Sequence, residues 1–260
     1  MTTMKGPLAA VFDLDGVITL TARVHAAAWK ELFDSYLHTR AEHGGPPFRP
    51  FDAAQDYRAF VDGKPRYDGV RSFLESRNLH LPEGSPADGP EHETVCGLGN
   101  RKDRLFVEMV HRMGVDVDQA AVRLVRDLRN CGIPCGVASS SRNAVPILER
   151  AGLRSLFEAV VDGIVSDELK LKGKPDPAIF LTCLDRLPGG VAPANAMVVE
   201  DALSGVAAGR RGHFGLVLGI DRHGMADELI HHGADRVVVD FGEVTVTELA
   251  EHFRSARRVA

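Results

Sequence analysis

The chain has 260 residues, with 31 Lys and Arg against 36 Asp and Glu, for a net charge of −5. Its hydrophobic content of 44% and charged content of 26% are those of one large or two modest folded domains, not of a disordered chain. No polybasic stripe invites nucleic acid, and no apolar run is long enough to span a bilayer.

The opening Met1-Thr2-Thr3-Met4-Lys5-Gly6-Pro7 leads directly into an apolar run, and the expectation is that it leaves no room for a signal peptide. The four cysteines, Cys96, Cys131, Cys135 and Cys183, show no zinc-ribbon spacing. The expectation is a reduced, cytoplasmic protein without membrane or nucleic-acid partners, a monomer or weak homo-oligomer.

The run Leu8-Ala9-Ala10-Val11-Phe12 predicts a strand buried on both faces of a parallel sheet. It stops at Asp13-Leu14-Asp15-Gly16, where ligands of open α/β sheets bind. Two carboxylates so close repel and call for a cation; read locally, Asp-Gly is also an ordinary turn signal. Thr21 is placed to cap a helix over 21–37, whose Trp29, Leu32, Phe33, Tyr36 and Leu37 form one stripe. His25 shares that face, where a lone histidine is usually part of the core.

Residues 41–65 and 79–90 are rich in Gly and Pro and read as loops, the first around one short helix. Helices are predicted over 66–77 and 100–113. From about Val115 a regular βαβ pattern begins, with strands at 134–138, 159–161, 196–199, 215–218 and 236–239. The first strand has no partner unless it joins them. The fold class is therefore α/β: a doubly wound parallel-sheet, Rossmann-like core (1–20 and 114–260) with a helical cap domain (21–113) inserted after the first strand.

Three strands end in polar clusters: Asp13 and Asp15; Ser139 with its neighbours; Glu200 and Asp201. With Lys174 nearby, this is an inventory for a hard cation and a phosphoryl group. Singly, the serines could be helix caps, Lys174 a surface residue and Glu200-Asp201 a capping pair. Together they sit at one end of every strand concerned, which those readings do not explain.

Asp13-Leu14-Asp15-Gly16-Val17, Ser139, Lys174-Pro175 and Glu200-Asp201 resemble the four motifs of the haloacid dehalogenase-like superfamily, in order. The resemblance implies phosphoryl transfer through an aspartyl-phosphate. Asp13 is then the nucleophile and Asp15 the general acid and base. Magnesium would be held by Asp13, Asp201 and the Asp15 carbonyl, with Glu200 in support. Ser139 and Lys174 would bind the transferring phosphoryl group.

Asp15-Gly16-Val17-Ile18-Thr19 with Thr21, His25 and Trp29 is similar to the β-phosphoglucomutase branch. By that resemblance Arg66, in Gly63-Lys64-Pro65-Arg66, grips the phosphate not being transferred. Lys102 pairs with His25, and Ser141, Arg142 and Asn143 contact phosphate. Leu20, Gln119-Ala120 and His213 depart from the branch's usual residues, and the cap loops are longer. A small phosphorylated sugar is the implied substrate, with glucose 1,6-bisphosphate as primer for a mutase. A sugar-phosphate phosphatase is the alternative. A signalling receiver domain shares the acids, hydroxyl and lysine, but the large insertion and the second aspartate speak for a sequestered substrate.

Overall fold

The structure, a computed structural model, describes residues 8–259. The expectation that residues 1–7 leave no room for a signal peptide lies outside the described residues. The chain divides into two compact units: one up to Leu20 and again from Asp116, the other Thr21–Val115.

Strands β1 (Ala9–Phe12), β2 (Cys135–Ala138), β3 (Ala159–Val161), β4 (Ala196–Glu200), β5 (Leu216–Ile220) and β6 (Arg236–Val238) make one parallel sheet. Its order, β3-β2-β1-β4-β5-β6, is that of doubly wound α/β proteins. β1 lies in the middle, with Phe12 opposite Val137 of β2 on one side and Val199 of β4 on the other. Ala9, Ala10, Val11 and Phe12 are all fully buried, which is why the run shows no polar alternation. At the roots of the insertion the two crossing segments run antiparallel. Leu20 N–H donates to Asp116 O at 2.9 Å and Asp118 N–H to Ile18 O at 3.0 Å.

The unit Thr21–Val115 is built on α1 (Ala22–Glu42), α2 (Arg66–Ser76) and α3 (Val95–Met113). Its core is aromatic: the Phe33 ring lies 4.0 Å from Phe73 and 5.2 Å from Trp29. α1 outruns the expected end at Leu37 because 38–42 hold no breaker and fray only near Gly44. Thr21 has helical backbone angles and makes no side-chain cap. α3 starts five residues before the expected Asn100, since Thr94 Oγ1 caps it by accepting from Gly97 N–H at 2.9 Å. The short helix within 41–65 is a π-helical turn, Tyr57–Val61.

In the sheet unit, α4 (Gln119–Asn130), α5 (Ala144–Arg150), α6 (Gly163–Glu168), α7 (Ala178–Asp185), α8 (Leu203–Arg211), α9 (Ala226–His232) and α10 (Val246–Val259) complete the fold. Ile179, Phe180 and Cys183 of α7 and Val206 of α8 share a core with Val11, Val198 and Val217. α4 packs on β2 and meets α10. α6 and α10 were not expected; α10 opens with a capping box in which Thr245 and Glu248 bond each other's backbone N–H. His213 sits at φ +55°, a conformation that favours glycine. Among the described residues no helix is long and apolar enough to cross a membrane.

Candidate active site

Asp13 follows the last residue of β1, Ser139 follows β2, and Glu200 ends β4 with Asp201 next. Parallel pairing puts all three strand ends on the same edge of the sheet. Lys174 binds two of them: its Nζ donates to Asp13 Oδ1 at 2.5 Å and to Glu200 Oε1 at 2.6 Å. Its ammonium also stands 4.7 Å over the Phe180 ring. Asp13, Ser139, Lys174, Glu200 and Asp201 are all buried.

The first loop is wound tightly onto itself. Gly16 N–H donates to Thr19 O at 2.6 Å, and Thr19 Oγ1 to Leu14 O at 3.2 Å. Gly16 has φ +88°, and a Cβ there would run into the Asp201 carboxylate, so only glycine fits. The turn holds Asp15 within reach of Ser139, whose Oγ donates to Asp15 Oδ2 at 3.2 Å.

Burial pushes the Asp13 carboxyl up to about 8; Lys174 opposes this, while the Glu200 and Asp15 charges add to it. Burial alone would lower the Lys174 ammonium, but the Asp13 and Glu200 carboxylates outweigh it and hold the group above the ordinary lysine range. A dry cluster with more acids than cations favours a proton or a metal ion at Asp13.

Glu200 Oε1 holds Lys174 and Oε2 accepts from Ala202 N–H at 2.7 Å, so Glu200 anchors the lysine. Among the described residues no three His, Cys, Asp or Glu side chains form a metal-ligating group. The remaining donors are the Asp13 and Asp201 carboxylates and the Asp15 carbonyl, all hard oxygens. They fit magnesium, which takes one or two carboxylates and fills its other positions with water and substrate phosphate.

Ser141, Arg142 and Asn143 lie in the turn between β2 and α5. Ser141 N–H donates to Ser139 Oγ at 3.1 Å and Asn143 N–H to Ser141 Oγ at 3.2 Å, which fixes the turn. Arg142 Nη1 donates to Asp167 Oδ2 of α6 at 2.6 Å, a partner on an element the sequence reading lacked.

In the helical unit, Lys102 Nζ lies 2.5 Å from His25 Nδ1. An ammonium only donates, so Nδ1 accepts and Nε2 carries the imidazole proton. The His25 ring stacks on Phe106 at 3.8 Å, and Lys102 stands 5.1 Å over Trp29. Arg66 is in the same unit. Its Nη2 donates to Asn100 Oδ1 at 2.7 Å and to the Tyr67 hydroxyl at 2.8 Å. Among the described residues its buried Nε and Nη1 have no hydrogen-bond partner, a cost of about 1–3 kcal/mol that an anion would relieve.

Two residues escaped the sequence reading. Asn100 carried no local signal. Arg222 donates from Nε to Gly16 O at 2.8 Å and from Nη2 to Asp118 Oδ2 at 2.6 Å. It lies just past the end of β5, so the strand-end rule used elsewhere would have flagged it.

A family profile of haloacid dehalogenase-like hydrolases matches residues 8–213. A β-phosphoglucomutase of Mycobacterium bovis is 47% identical over 239 residues, covering 91% of this chain and 90% of that protein. One from Bacillus subtilis is 32% identical over 250 residues, covering 96% of each. The crystal structure of a β-phosphoglucomutase from Clostridium difficile superposes with a TM-score of 0.75 at 24% identity, covering 97% of this chain and 99% of the other, a likeness of fold. A buried aspartate after β1, a hydroxyl after β2, a buried lysine and an acidic pair at the end of β4 thus coincide with a profile match over most of the chain, and this enzyme belongs to the haloacid dehalogenase-like hydrolase family.

Proposed function

We propose that the chain is a magnesium-dependent β-phosphoglucomutase, interconverting β-D-glucose 1-phosphate and glucose 6-phosphate through a bisphosphate intermediate. The observation that carries this reading is Arg66, a half-buried side chain whose buried Nε and Nη1 lack hydrogen-bond acceptors among the described residues. Hydrolysis of a monophosphate needs one anion site, whereas a bisphosphate needs a cation for the end that is not reacting. The names of the mycobacterial and Bacillus relatives support it.

In this reading an Asp13 oxygen attacks phosphorus and the bond from phosphorus to the sugar oxygen breaks. Asp15 gives a proton to that leaving oxygen and later takes one from the hydroxyl that attacks the aspartyl-phosphate, a role worth about 10²–10⁴ in rate. Lys174 and Ser139 bind the transferring oxygens, and Ser141, Arg142 and Asn143 hold the turn beside them. Asp13, Asp201 and the Asp15 carbonyl would hold magnesium, which neutralises charge on the phosphoryl group when bound. Lys102 keeps His25 in the Nε2–H form as a donor to substrate, and Arg66 binds the second phosphate.

Phosphorus NMR of the products from β- and α-glucose 1-phosphate, with and without glucose 1,6-bisphosphate, tests the proposal. Glucose 6-phosphate should form from the β-anomer, with a lag that the bisphosphate removes. Release of inorganic phosphate alone would establish the phosphatase alternative instead.

A further inference from the structure

Asn100 joins two parts of the helical unit that are far apart in sequence. Its Oδ1 accepts from Arg66 Nη2 at 2.7 Å and from the Tyr67 hydroxyl at 2.9 Å. Its Nδ2 donates to the carbonyls of Pro86 and Asp88 at 3.1 and 2.8 Å. An amide offers two acceptor and two donor positions, and all four are used here. The orientation is fixed by chemistry, since a guanidinium only donates and a carbonyl only accepts.

The carbonyls belong to the long Gly- and Pro-rich loop 80–94. That loop is braced at several points. Thr94 Oγ1 donates to Asp88 Oδ2 at 2.6 Å, and Asp88 N–H to Ser85 O at 2.8 Å. Arg71 of α2 reaches Glu83 at 3.1 Å.

Arg66 is held at Nη2 and lacks hydrogen-bond acceptors at its other nitrogens among the described residues. Nη2 spends both hydrogens on Asn100 and Tyr67. Nε and Nη1 are buried without an acceptor among the described residues, and the Asp103 carboxylate stays 3.9 Å from Nη1. The guanidinium plane also stands 4.7 Å from the Tyr67 ring, which limits its rotation.

We propose that Asn100, carried by the loop 80–94, is a positioning residue that fixes the Arg66 guanidinium so that Nε and Nη1 meet a second charged group of the substrate. This rests on the reading of Arg66 as an anion-binding residue. The loop thereby sets the preference for sugars charged at both ends, without itself touching the reacting phosphoryl group.

The test compares turnover of glucose 1,6-bisphosphate and of p-nitrophenyl phosphate, which has no second charged end. Asn100→Ala frees both the arginine and the loop. Asn100→Asp keeps an acceptor but sets a carboxylate against two carbonyls and competes with substrate for Arg66. Both should raise KM for the bisphosphate at least tenfold with kcat within threefold, and leave p-nitrophenyl phosphate hydrolysis within twofold. That unchanged hydrolysis also reports a folded enzyme. Asp88→Ala, which removes the acceptor of the Thr94 hydroxyl and loosens the loop where it meets α3, should raise the same KM severalfold. Arg66→Ala is measured alongside. If it raises the bisphosphate KM and the Asn100 and Asp88 variants do not, the positioning role is overturned while the arginine keeps its own. If Arg66→Ala leaves that KM unchanged, the reading of the arginine fails, and the positioning role with it. Equal losses on both substrates in the Asn100 variants overturn the proposal as well.

Discussion

Arg222 and Gly16 are 206 positions apart, yet the guanidinium Nε donates to the Gly16 carbonyl at 2.8 Å. Gly16 adjoins Asp15 in the loop that follows β1, so a residue beyond β5 fixes the turn beside the proposed proton shuttle. The same guanidinium holds Asp118, which caps α4 by accepting from Ala120 and Ala121 N–H at 2.9 Å. Arg222→Ala should therefore lower kcat about tenfold or more and cost about 1–3 kcal/mol of stability. Arg222→Lys has no fork to serve both partners and should recover only part of the rate. Steady-state kinetics and urea unfolding check both, and a kcat equal to wild type in the alanine variant refutes the link.

Lys174 is the shared cation of two buried carboxylates. Removing it leaves Glu200, and Asp13 wherever it is ionised, without a counter-charge, and breaking such buried pairs costs about 3–5 kcal/mol. Lys174→Met, which keeps the stem volume, should fall in that range and lose phosphoryl transfer. Lys174→Met with Glu200→Gln removes a stranded charge and should regain part of the stability without regaining activity. Denaturant midpoints of the two variants decide it.

The Asp13 carboxyl, raised from 3.8 to about 8, gives a pH signature in metal-free protein. The folded state keeps a proton that the unfolded chain has already released. The associated stability is complete below pH 4, declines as pH rises, and is gone once pH passes 8. Asp13→Asn cannot titrate, so its stability curve should lack this decline. With EDTA present, wild type should lose ground to the variant between pH 5 and 8, by at most about 1.4 kcal/mol per unit. Parallel curves across that window would show that Asp13 is ionised throughout.

Thiol reactivity should sort by burial. Cys131 is exposed, while Cys96, Cys135 and Cys183 are buried. Burial pushes the Cys135 and Cys183 thiols up to about 12, so almost no thiolate exists at pH 8. A disulfide-exchange reagent should modify one thiol quickly in native protein and all four in denaturant. Fast loss of a second thiol would mean that the buried cysteines open to solvent.

What could be read from the sequence was local. Each apolar strand is followed at once by its polar cluster, so Asp13, Ser139, Glu200 and Asp201 could be placed at one sheet edge before any coordinates. What escaped depends on distant partners or weak patterns. That Glu200 also binds Lys174 and Ala202 N–H could not be read locally, because the lysine lies 26 positions away. Asn100 is an ordinary surface-type residue in sequence and acquires its place only through Arg66, Pro86 and Asp88. The start of α3 was hidden by Gly97 and Gly99, poor helix formers whose missing side chains make room for His92 O and Tyr67. α10 has only a sparse stripe of Leu249, Ala250 and Phe253, although its Thr245…Glu248 box was there to be read.

The position of β1 between β2 and β4 has a consequence for the protein's birth. β1 is made before its neighbours and pairs with strands whose partner residues follow 125 and 187 positions later. At about 5–20 residues per second, the strand that carries the nucleophile leaves the ribosome roughly 10–40 s before its second neighbour exists. The segment 21–115, continuous in sequence and with its own aromatic core, is complete within that interval. The helical unit can therefore fold while its host is still a tethered, apolar strand end. Translation thus imposes an order in which the inserted part is finished before the part that contains it.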